Sequence, residues 1–202
     1  PPTRHPPNAF PWVAALEGDF EAIRQEVLQL RMPTPHADGP FSAVGGRAHH
    51  DRTLVSTGEW REFPLFGNGR KHEANCARCP ATARALERIE AATSLSVAGG
   101  GEAIFSVIRG GTKLRAHCGP TNLRLTCHLG IVVPEGCGIK CGDETREWDE
   151  GKCLIFDDSF EHQVWNQSAE DRIVLLLNFW HPQLSLEQRR IEMQSAFGYE
   201  VK

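Results

Sequence analysis

Two histidines lie in short stretches typical of strand ends, His117 in HCGPTN and His162 in FDDSFEHQVWN. Imidazole is a good ligand for iron, and two histidines with one carboxylate make the common non-haem iron(II) site. The carboxylate usually comes two residues after the first histidine, where this chain has Gly119. A lone histidine beside apolar strands is more often a hydrogen-bonded structural residue. The pair therefore predicts either a metal site without its carboxylate or two structural side chains.

An arginine, Arg172, follows His162 by ten residues and begins the apolar run RIVLLLNF. A guanidinium carried into the interior of a β-fold is costly unless it meets an anion, and its planar fork matches a carboxylate. Histidine, histidine and then arginine is the order in which jelly-roll oxygenases hold iron(II) and the distal carboxylate of 2-oxoglutarate. The alternative is an ion pair between Arg172 and a nearby acid, Asp157 or Asp158.

From residue 102 onward, short β-rich runs are separated by Gly and Pro. The seven runs are EAIFSVIRGG, LRLTCHLGIVVPEG, GIKCG, TREWDEG, CLIFDD, HQVWNQS and RIVLLLNFWHP. Closely spaced short strands are typical of a sandwich or barrel. We predict a mainly β fold, an antiparallel jelly roll braced by helices from both ends of the chain.

Three segments have the apolar spacing of amphipathic helices. They are residues 12–30, the stretch CPATARALERIEAA with Pro80 near its start, and SLEQRRIEMQSAF with Ser185 as its N-cap. GEWREFPLF is predicted to be an edge strand. Residues 31–50 are rich in Pro and Gly and are predicted to form a long loop. This loop and the stretch GRKHEANCARCP are our candidates for the rim that faces a substrate.

The composition indicates one globular domain over residues 1–202, since 40% of the chain is hydrophobic and 24% is charged. A net charge of −4 argues against the strongly basic surface of a nucleic-acid binder. No apolar run reaches the roughly 18 to 20 residues that span a bilayer, and the first residues lack a signal-peptide pattern. Because the chain starts without Met, we expect a trimmed piece of a longer protein, with room upstream for an anchor or targeting segment.

Seven cysteines, an odd number, leave at least one thiol unpaired. Cys76 and Cys79 form a C-x-x-C motif, but no second pair follows at zinc-finger spacing. We expect a local disulfide or two free thiols here, with a redox or metal role as the less favoured alternative.

The strings HCGPTNLRLTCHLGIVVP, GIKCGDETREWDEGKCLIFDDSFEHQVWN and RIVLLLNFWHP together resemble the catalytic domain of the aspartyl/asparaginyl β-hydroxylase family. The resemblance is close over about residues 102–184 and weaker back to the first helix. It implies a double-stranded β-helix, which is a cupin-like jelly roll. It also implies dependence on Fe(II), 2-oxoglutarate and O2, and hydroxylation of the β-carbon of Asp or Asn residues in a polypeptide.

The resemblance also assigns roles to individual residues. His117 and His162 match the metal ligands, and Gly119 matches the glycine that this family has in place of the usual carboxylate. Ser106 and Arg172 match the pair that binds the distal carboxylate of 2-oxoglutarate. His128 matches a third cosubstrate-binding residue, which lies near the other carboxylate of 2-oxoglutarate.

One position departs from the family pattern. Where the family has a second arginine two residues after Arg124, in a run that positions the acids of cosubstrate and substrate, this chain has Thr126. A hydroxyl lacks both the charge and the donor fork of a guanidinium. Arg124 and Thr126 remain the predicted substrate-binding residues, with Arg115 or Lys113 as alternative partners for an acidic substrate.

The substrate is accordingly left open by the sequence. The alternatives are the same chemistry on a small molecule or a lipid acceptor, and a jelly roll that binds a metal or an acid without turnover. Other conspicuous residues have ordinary explanations. Asp157 and Asp158 are predicted to form a turn or ion pairs, and Trp148, Trp165 and Trp180 are predicted to be core and rim aromatics.

Overall fold

The computed structural model describes residues 3–30, 40–44 and 54–197, and β-strands dominate them. In chain order the strands are β1 (Arg4–His5), β2 (Ser42–Ala43), β3 (Val55–Thr57), β4 (Trp60–Gly67), β5 (Arg70–Lys71), β6 (Glu102–Ile108), β7 (Lys113–Leu114), β8 (Arg124–Val132), β9 (Cys137–Cys141), β10 (Glu144–Arg146), β11 (Cys153–Phe156), β12 (His162–Asn166) and β13 (Arg172–Trp180). The helices are α1 (Val13–Gly18), α2 (Phe20–Leu30), α3 (Glu73–Arg78), α4 (Pro80–Glu87), α5 (Glu90–Ala98) and α6 (Leu186–Phe197), with a short 3-10 helix over Pro7–Ala9.

The strands form two antiparallel sheets. The larger has the order β1-β11-β8-β13-β6-β4-β2, with β5 also paired to β4, and the smaller has the order β10-β9-β12-β7-β3. From β6 to β13 the chain passes back and forth between the two sheets, as in a jelly roll. All seven strands predicted after residue 102 are present, and the predicted mainly β jelly roll is confirmed.

The larger sheet is buried on both faces, which explains its nearly continuous apolar sequences. Side chains alternate between the faces along a strand. The odd-numbered residues of β8 and β13 pack against the helices in the main core. The contributing side chains include Leu125, Cys127, Leu129, Leu175 and Leu177 from the strands, with Ile23, Val27 and Leu86 from the helices.

The even-numbered residues of the same two strands face the smaller sheet. Val174 packs there with Ile139 and Val164 in a second apolar cluster. The polar residues of β8 fall on this inner face, because they occupy every second position from Arg124 onward. The period of two along β8 therefore separates residues that build the core from residues able to build a site.

Two of the predicted helices are each divided in the structure. Residues 12–30 form α1 and α2 with a break at Asp19, whose amide closes α1 by donating to the carbonyls of Ala15 and Leu16. The segment that starts at Pro80 forms α4 and α5, with Ile89 between them in a non-helical conformation (φ −105°, ψ 75°). The sequence analysis missed the short helix α3, which precedes Pro80.

The predicted edge strand is not at the edge. Strand β4 lies between β6 and the short strand β2, and its internal Pro64 is accommodated where the register against β6 shifts. The stretch GRKHEANCARCP forms β5 and α3 and places Cys76 and Cys79 in the main core, and its part in a substrate-facing rim stays a prediction. Most of the predicted loop at 31–50 lies outside the described residues.

Helix α6 begins as predicted at Ser185, whose hydroxyl accepts a hydrogen bond from the Gln188 amide while the Gln188 side chain accepts one from the Ser185 amide. Cys76 and Cys79 are free thiols, in agreement with one of the two favoured alternatives. Burial raises the pKa of Cys76 to about 11 and that of Cys79 to about 12. Among the described residues, no helix is both long enough and apolar enough to cross a bilayer.

Candidate active site

A cavity of about 180 Å³ lies between the two sheets. Apart from the alternatives Arg115 and Lys113, the residues that the sequence analysis singled out for metal, cosubstrate or substrate all line its described wall. They are Ser106, His117, Arg124, Thr126, His128, His162 and Arg172. They come from β6, β8, β12, β13 and the segment before β8, so the fold brings together residues that are far apart along the chain.

The histidine pair sits on an isolated antiparallel bridge beside β12. The amide of His117 donates to the carbonyl of His162 at 3.0 Å, and the amide of His162 donates back at 2.8 Å. The two ring centroids are 4.2 Å apart with an angle of 54° between the planes. Directly opposed residues of an antiparallel pair project from the same face, and this register is what brings the two imidazoles together.

Each ring of the pair is oriented by a backbone carbonyl two residues earlier. His117 Nδ1 is 2.8 Å from the Arg115 oxygen, and His162 Nδ1 is 3.0 Å from the Phe160 oxygen. A carbonyl only accepts, so each Nδ1 carries the hydrogen and each Nε2 keeps its lone pair. Burial, followed by the neighbouring His117, lowers the pKa of His162, which favours the neutral ring. Neutral imidazoles held in this tautomer have the donor atoms that a transition metal binds.

Gly119 is explained by its contact with Asp158. A Cβ at position 119 would lie 2.6 Å from both Cγ and Oδ2 of the Asp158 side chain, and the Gly119 amide donates to the Asp158 carbonyl. Any side chain here would displace that carboxylate. Asp158 in turn accepts a hydrogen bond from Arg124 Nη2 at 2.8 Å, and Arg124 Nη1 donates to the Gly100 carbonyl.

This pairing removes the alternative that Arg172 forms an ion pair with Asp157 or Asp158. Asp157 instead accepts hydrogen bonds from the amide and hydroxyl of Ser159. The Arg172 guanidinium lies over the ring of Trp148, 4.7 Å from its centroid, and its Nε and Nη1 find no acceptor among the described residues. Burial lowers its pKa to about 10, so the group is still charged at neutral pH. A buried cation with unused donors suits a carboxylate ligand.

Trp148 also determines the tautomer of His128. Its indole N–H donates to His128 Nδ1 at 3.2 Å, and indole is a donor only, so the hydrogen of His128 resides on Nε2. That nitrogen has no partner in the described residues. Burial, followed by the charge of Arg172, lowers the pKa of His128 well below its usual value. His128 is therefore a neutral hydrogen-bond donor in the cavity wall.

Ser106 lies beside Arg172 on the neighbouring strand. It pairs with Val174 across β6 and β13, while Arg172 pairs with Ile108, so Ser106 and Arg172 are diagonal neighbours on one face. The indole N–H of Trp60 donates to the Ser106 oxygen at 3.0 Å. The serine hydrogen remains available for a ligand held by Arg172.

Thr126 belongs to a polar chain that crosses the inner face of the larger sheet. Its hydroxyl oxygen accepts a hydrogen bond of 2.8 Å from Asn178 Nδ2, and Asn178 Oδ1 accepts one of 3.1 Å from the amide of Glu102. Thr126 and Asn178 are both buried. They face each other across β8 and β13 in the strand register.

Three residues in or beside the site were not assigned to it from the sequence, namely Asp158 and Asn178, which line the cavity, and Trp148, which contacts two lining residues. Trp148 was predicted to be a core or rim aromatic, and only its contacts with His128 and Arg172 show that it orients two residues of the site. Asp158 was predicted to be a turn former or ion-pair partner, which describes its contact with Arg124 but not its place beside Gly119. Asn178 had a visible signal, because it is the one polar residue within the apolar run of β13.

A jelly roll with two metal-competent imidazoles and an uncompensated buried arginine defines a cupin-like protein with a two-histidine candidate metal centre. A solved structure of the same fold is a prolyl-4-hydroxylase of Pseudomonas putida, with a TM-score of 0.52, 14% sequence identity, and coverage of 85% of this chain and 100% of that one. The model of the family described as aspartyl/asparaginyl beta-hydroxylase matches residues 17–182. The chain belongs to this family.

Individual relatives agree with that assignment. The chain is 41% identical to the aspartyl/asparaginyl beta-hydroxylase of Mus musculus over 179 residues, which cover 88% of this chain and 22% of the mouse protein. It is 36% identical to an ornithine lipid ester-linked acyl 2-hydroxylase of Rhizobium tropici over 86% of this chain and 58% of that protein. The chain thus spans about a fifth of the length of the mouse relative.

Proposed function

We propose that this chain is an Fe(II)- and 2-oxoglutarate-dependent dioxygenase that hydroxylates the β-carbon of Asp or Asn residues in a polypeptide. The observation that supports this proposal most strongly is that one cavity contains polar groups without hydrogen-bond partners among the described residues. The rings of His117 and His162 lie 4.2 Å apart, and Arg172, whose Nε and Nη1 have no partner among the described residues, lines the same cavity. A metal and an anionic ligand together would satisfy both groups, and membership of the family supports iron as the metal and 2-oxoglutarate as the ligand.

His117 and His162 would hold the iron through Nε2, since both Nδ1 atoms are engaged by carbonyls. Bound there with 2-oxoglutarate and dioxygen, iron(II) supplies the conversion of a C–H bond to C–OH while 2-oxoglutarate becomes succinate and carbon dioxide. The protein contributes placement. Asp158 fills the space beside Gly119 and pairs its charge with Arg124. These two contacts fix the carboxylate next to the metal-binding histidines.

The cosubstrate would be bound at both of its ends. Arg172 and Ser106 offer the guanidinium fork and a hydroxyl hydrogen to the distal carboxylate, and His128 offers its Nε2 hydrogen near the other one. These donors are fixed before the ligand arrives, by Trp148 for Arg172 and His128 and by Trp60 for Ser106. Donors that need no rearrangement on binding lose little conformational entropy.

A second acceptor class has one specific observation in its favour. The Rhizobium tropici relative is named for hydroxylation of a lipid acyl chain, and the departure at Thr126 lowers the positive charge expected on the substrate side. The same iron chemistry would then act on a small or lipid acceptor. Arg124 and Thr126 would contact either kind of acceptor.

Succinate release tests the proposal. The protein is supplied with Fe(II), 2-oxoglutarate and Asp- or Asn-containing peptides, and His162→Ala serves as the control that should lose both metal binding and turnover. Hydroxylated peptide with a matching amount of succinate supports the first acceptor class, and turnover only with lipid or small acceptors supports the second. Tight binding of metal and 2-oxoglutarate without succinate from any acceptor would make the chain a binding module and overturn the proposal.

A further inference from the structure

The acceptor side of the cavity carries the neutral hydrogen-bonding pair Thr126 and Asn178 beside the ion pair of Arg124 and Asp158. We infer that Thr126 selects a neutral amide, so that asparaginyl residues are preferred over aspartyl residues, and that Asn178 is the positioning residue that aims the Thr126 hydroxyl. The inference rests on the proposed function and specifies its substrate.

The orientation of the Asn178 amide is fixed by the backbone. Its Oδ1 accepts from the amide of Glu102, and a backbone N–H cannot serve as an acceptor. The oxygen must therefore face Glu102, and Nδ2 must face Thr126. This reasoning identifies the two ends of the side chain, which their shape alone does not distinguish.

The orientation of Asn178 determines what Thr126 can do. Because Asn178 Nδ2 donates to it, the Thr126 oxygen acts as an acceptor in that contact and keeps its own hydrogen for another partner. Thr126 is a lining residue of the cavity. Its neighbours along β8 on the same face, Arg124 and His128, line the cavity as well, so the hydroxyl hydrogen is available to a ligand between them.

Thr126 lies at the level of the metal ligands. It pairs in the strand register with Phe156 of β11. The ring of Phe156 packs edge-on against His162, with 5.6 Å between the centroids, and against His128, with 5.2 Å. Thr126 and the histidine pair thus border one cavity and are connected through Phe156, and we place the terminal group of a side chain whose β-carbon faces His117 and His162 on the Thr126 side.

The charges on this wall do not favour a carboxylate. Arg124 is the nearest lining cation along β8, and its Nε has no partner among the described residues, but its charge is balanced by Asp158 at 2.8 Å and its Nη1 donates to the Gly100 carbonyl at 3.0 Å. Glu102 is a second acidic lining residue. An incoming carboxylate would lose its hydration beside two acidic groups and one cation that is already paired, whereas a neutral amide can accept the Thr126 hydrogen without bringing a further negative charge to this wall.

The test uses two peptide pools that differ only at a central residue, fixed as Asn in one and Asp in the other, with randomised flanking residues. Hydroxylation is read as the mass gain of one oxygen atom, with Fe(II) and 2-oxoglutarate at saturating concentration. We expect the Asn pool to react about tenfold faster than the Asp pool, which is what one well-placed hydrogen bond contributes. Equal rates, or a faster Asp pool, would overturn the inference and leave the proposed function standing.

Variants of the polar chain test the role of each member. Thr126→Val keeps the shape of the side chain and should remove the preference, while Thr126→Ser should restore it. In Asn178→Asp one oxygen keeps the Glu102 bond and the other accepts the Thr126 hydrogen, so the preference should also be lost. The double variant should then lose no more than Thr126→Val alone, because the two residues act as one unit.

The readouts separate these roles from simple damage to the fold. Thr145→Val on the exposed strand β10 is the matched control and should leave the Asn-to-Asp ratio unchanged. The 2-oxoglutarate concentration at half-maximal turnover should stay constant in Thr126→Val. A preference that survives both Thr126→Val and Asn178→Asp would refute the assignment, and the absence of hydroxylation in both pools with wild-type protein would refute the proposed function itself.

Discussion

The two faces of the larger sheet use the same strands in opposite ways. The odd-numbered residues of β8 and β13 meet the helices in a core of apolar side chains. On the inner face, buried polar atoms of Arg172 and His128 have no partners within the described part of the chain. Buried polar groups in folded proteins are nearly always paired, so the contrast indicates that one face is built for stability and the other for ligands.

The largest expected effect comes from removing the charge on the inner face. Arg172→Met should raise the 2-oxoglutarate concentration at half-maximal turnover by about a hundredfold, because charge-assisted hydrogen bonds to the carboxylate are lost. The unfolding temperature of the ligand-free protein should stay the same or rise, since an uncompensated buried charge is removed. Arg172→Lys keeps the charge but loses the planar fork of donors, so its 2-oxoglutarate requirement should fall between those of the wild type and Arg172→Met. A strongly destabilised Arg172→Met protein would contradict the assignment of the inner face to ligand binding.

On the helix-facing side of the same sheet we expect a loss of stability without a change in 2-oxoglutarate dependence. Leu175 is fully buried among the helix-facing residues. Leu175→Ala should lower the free energy of unfolding by roughly 2–5 kcal/mol and leave the 2-oxoglutarate dependence of the remaining folded enzyme unchanged. Denaturant titration measures the loss, and Leu186→Ala, at a side chain that is 76% exposed, is the neutral comparison.

A smaller effect is expected where the backbone approaches Asp158. Gly119→Ala places a methyl group 2.6 Å from the Asp158 carboxylate. The carboxylate must move, and the segment that carries His117 is disturbed. Affinity for Fe(II) should fall about tenfold, as for other changes next to metal ligands. Isothermal titration with Fe(II) under anaerobic conditions gives the value, with Gly18→Ala, where a methyl group meets no other atom, as the control.

The smallest effect is expected at Trp148. Trp148→Phe keeps a ring beneath Arg172 but removes the hydrogen bond to His128, so His128 is no longer restricted to one tautomer. The 2-oxoglutarate requirement should rise about fivefold, which corresponds to one ordinary hydrogen bond. Metal affinity should not change. Trp165→Phe, on the strand face beside Gly138, is the control and should alter neither the 2-oxoglutarate requirement nor the metal affinity. A loss of metal binding in Trp148→Phe would contradict the role assigned to Trp148.

The sequence predicted the elements of this fold better than their boundaries. Strand runs separated by Gly and Pro are a local signal, and all seven predicted after residue 102 are present. The breaks at Asp19 and Ile89 depend on how short helices pack over a curved sheet, which the apolar spacing of a single segment does not record. The position of β4 depends on β2, a two-residue strand with no recognisable pattern of its own.

For the candidate site, the residue types could be predicted from the sequence, but which side chains come together depends on the strand register. His117 and His162 meet because one isolated bridge aligns them, which no spacing in the chain reveals. The orientation of a hydrogen bond is even less visible. Asn178 appears in the sequence only as a polar residue in an apolar strand, and its action on Thr126 depends on the backbone of Glu102.

The proposed binding of 2-oxoglutarate to the unused donors of Arg172 would connect the stability of the domain to metabolism. A ligand that binds only the folded protein stabilises it in proportion to the logarithm of its concentration, by about 2.7 kcal/mol at a hundred times its dissociation constant. If 2-oxoglutarate neutralises this guanidinium, the resistance of the domain to unfolding and proteolysis rises and falls with the supply of a central carbon metabolite. The lifetime of the protein in a cell would then report on the nutritional state of that cell.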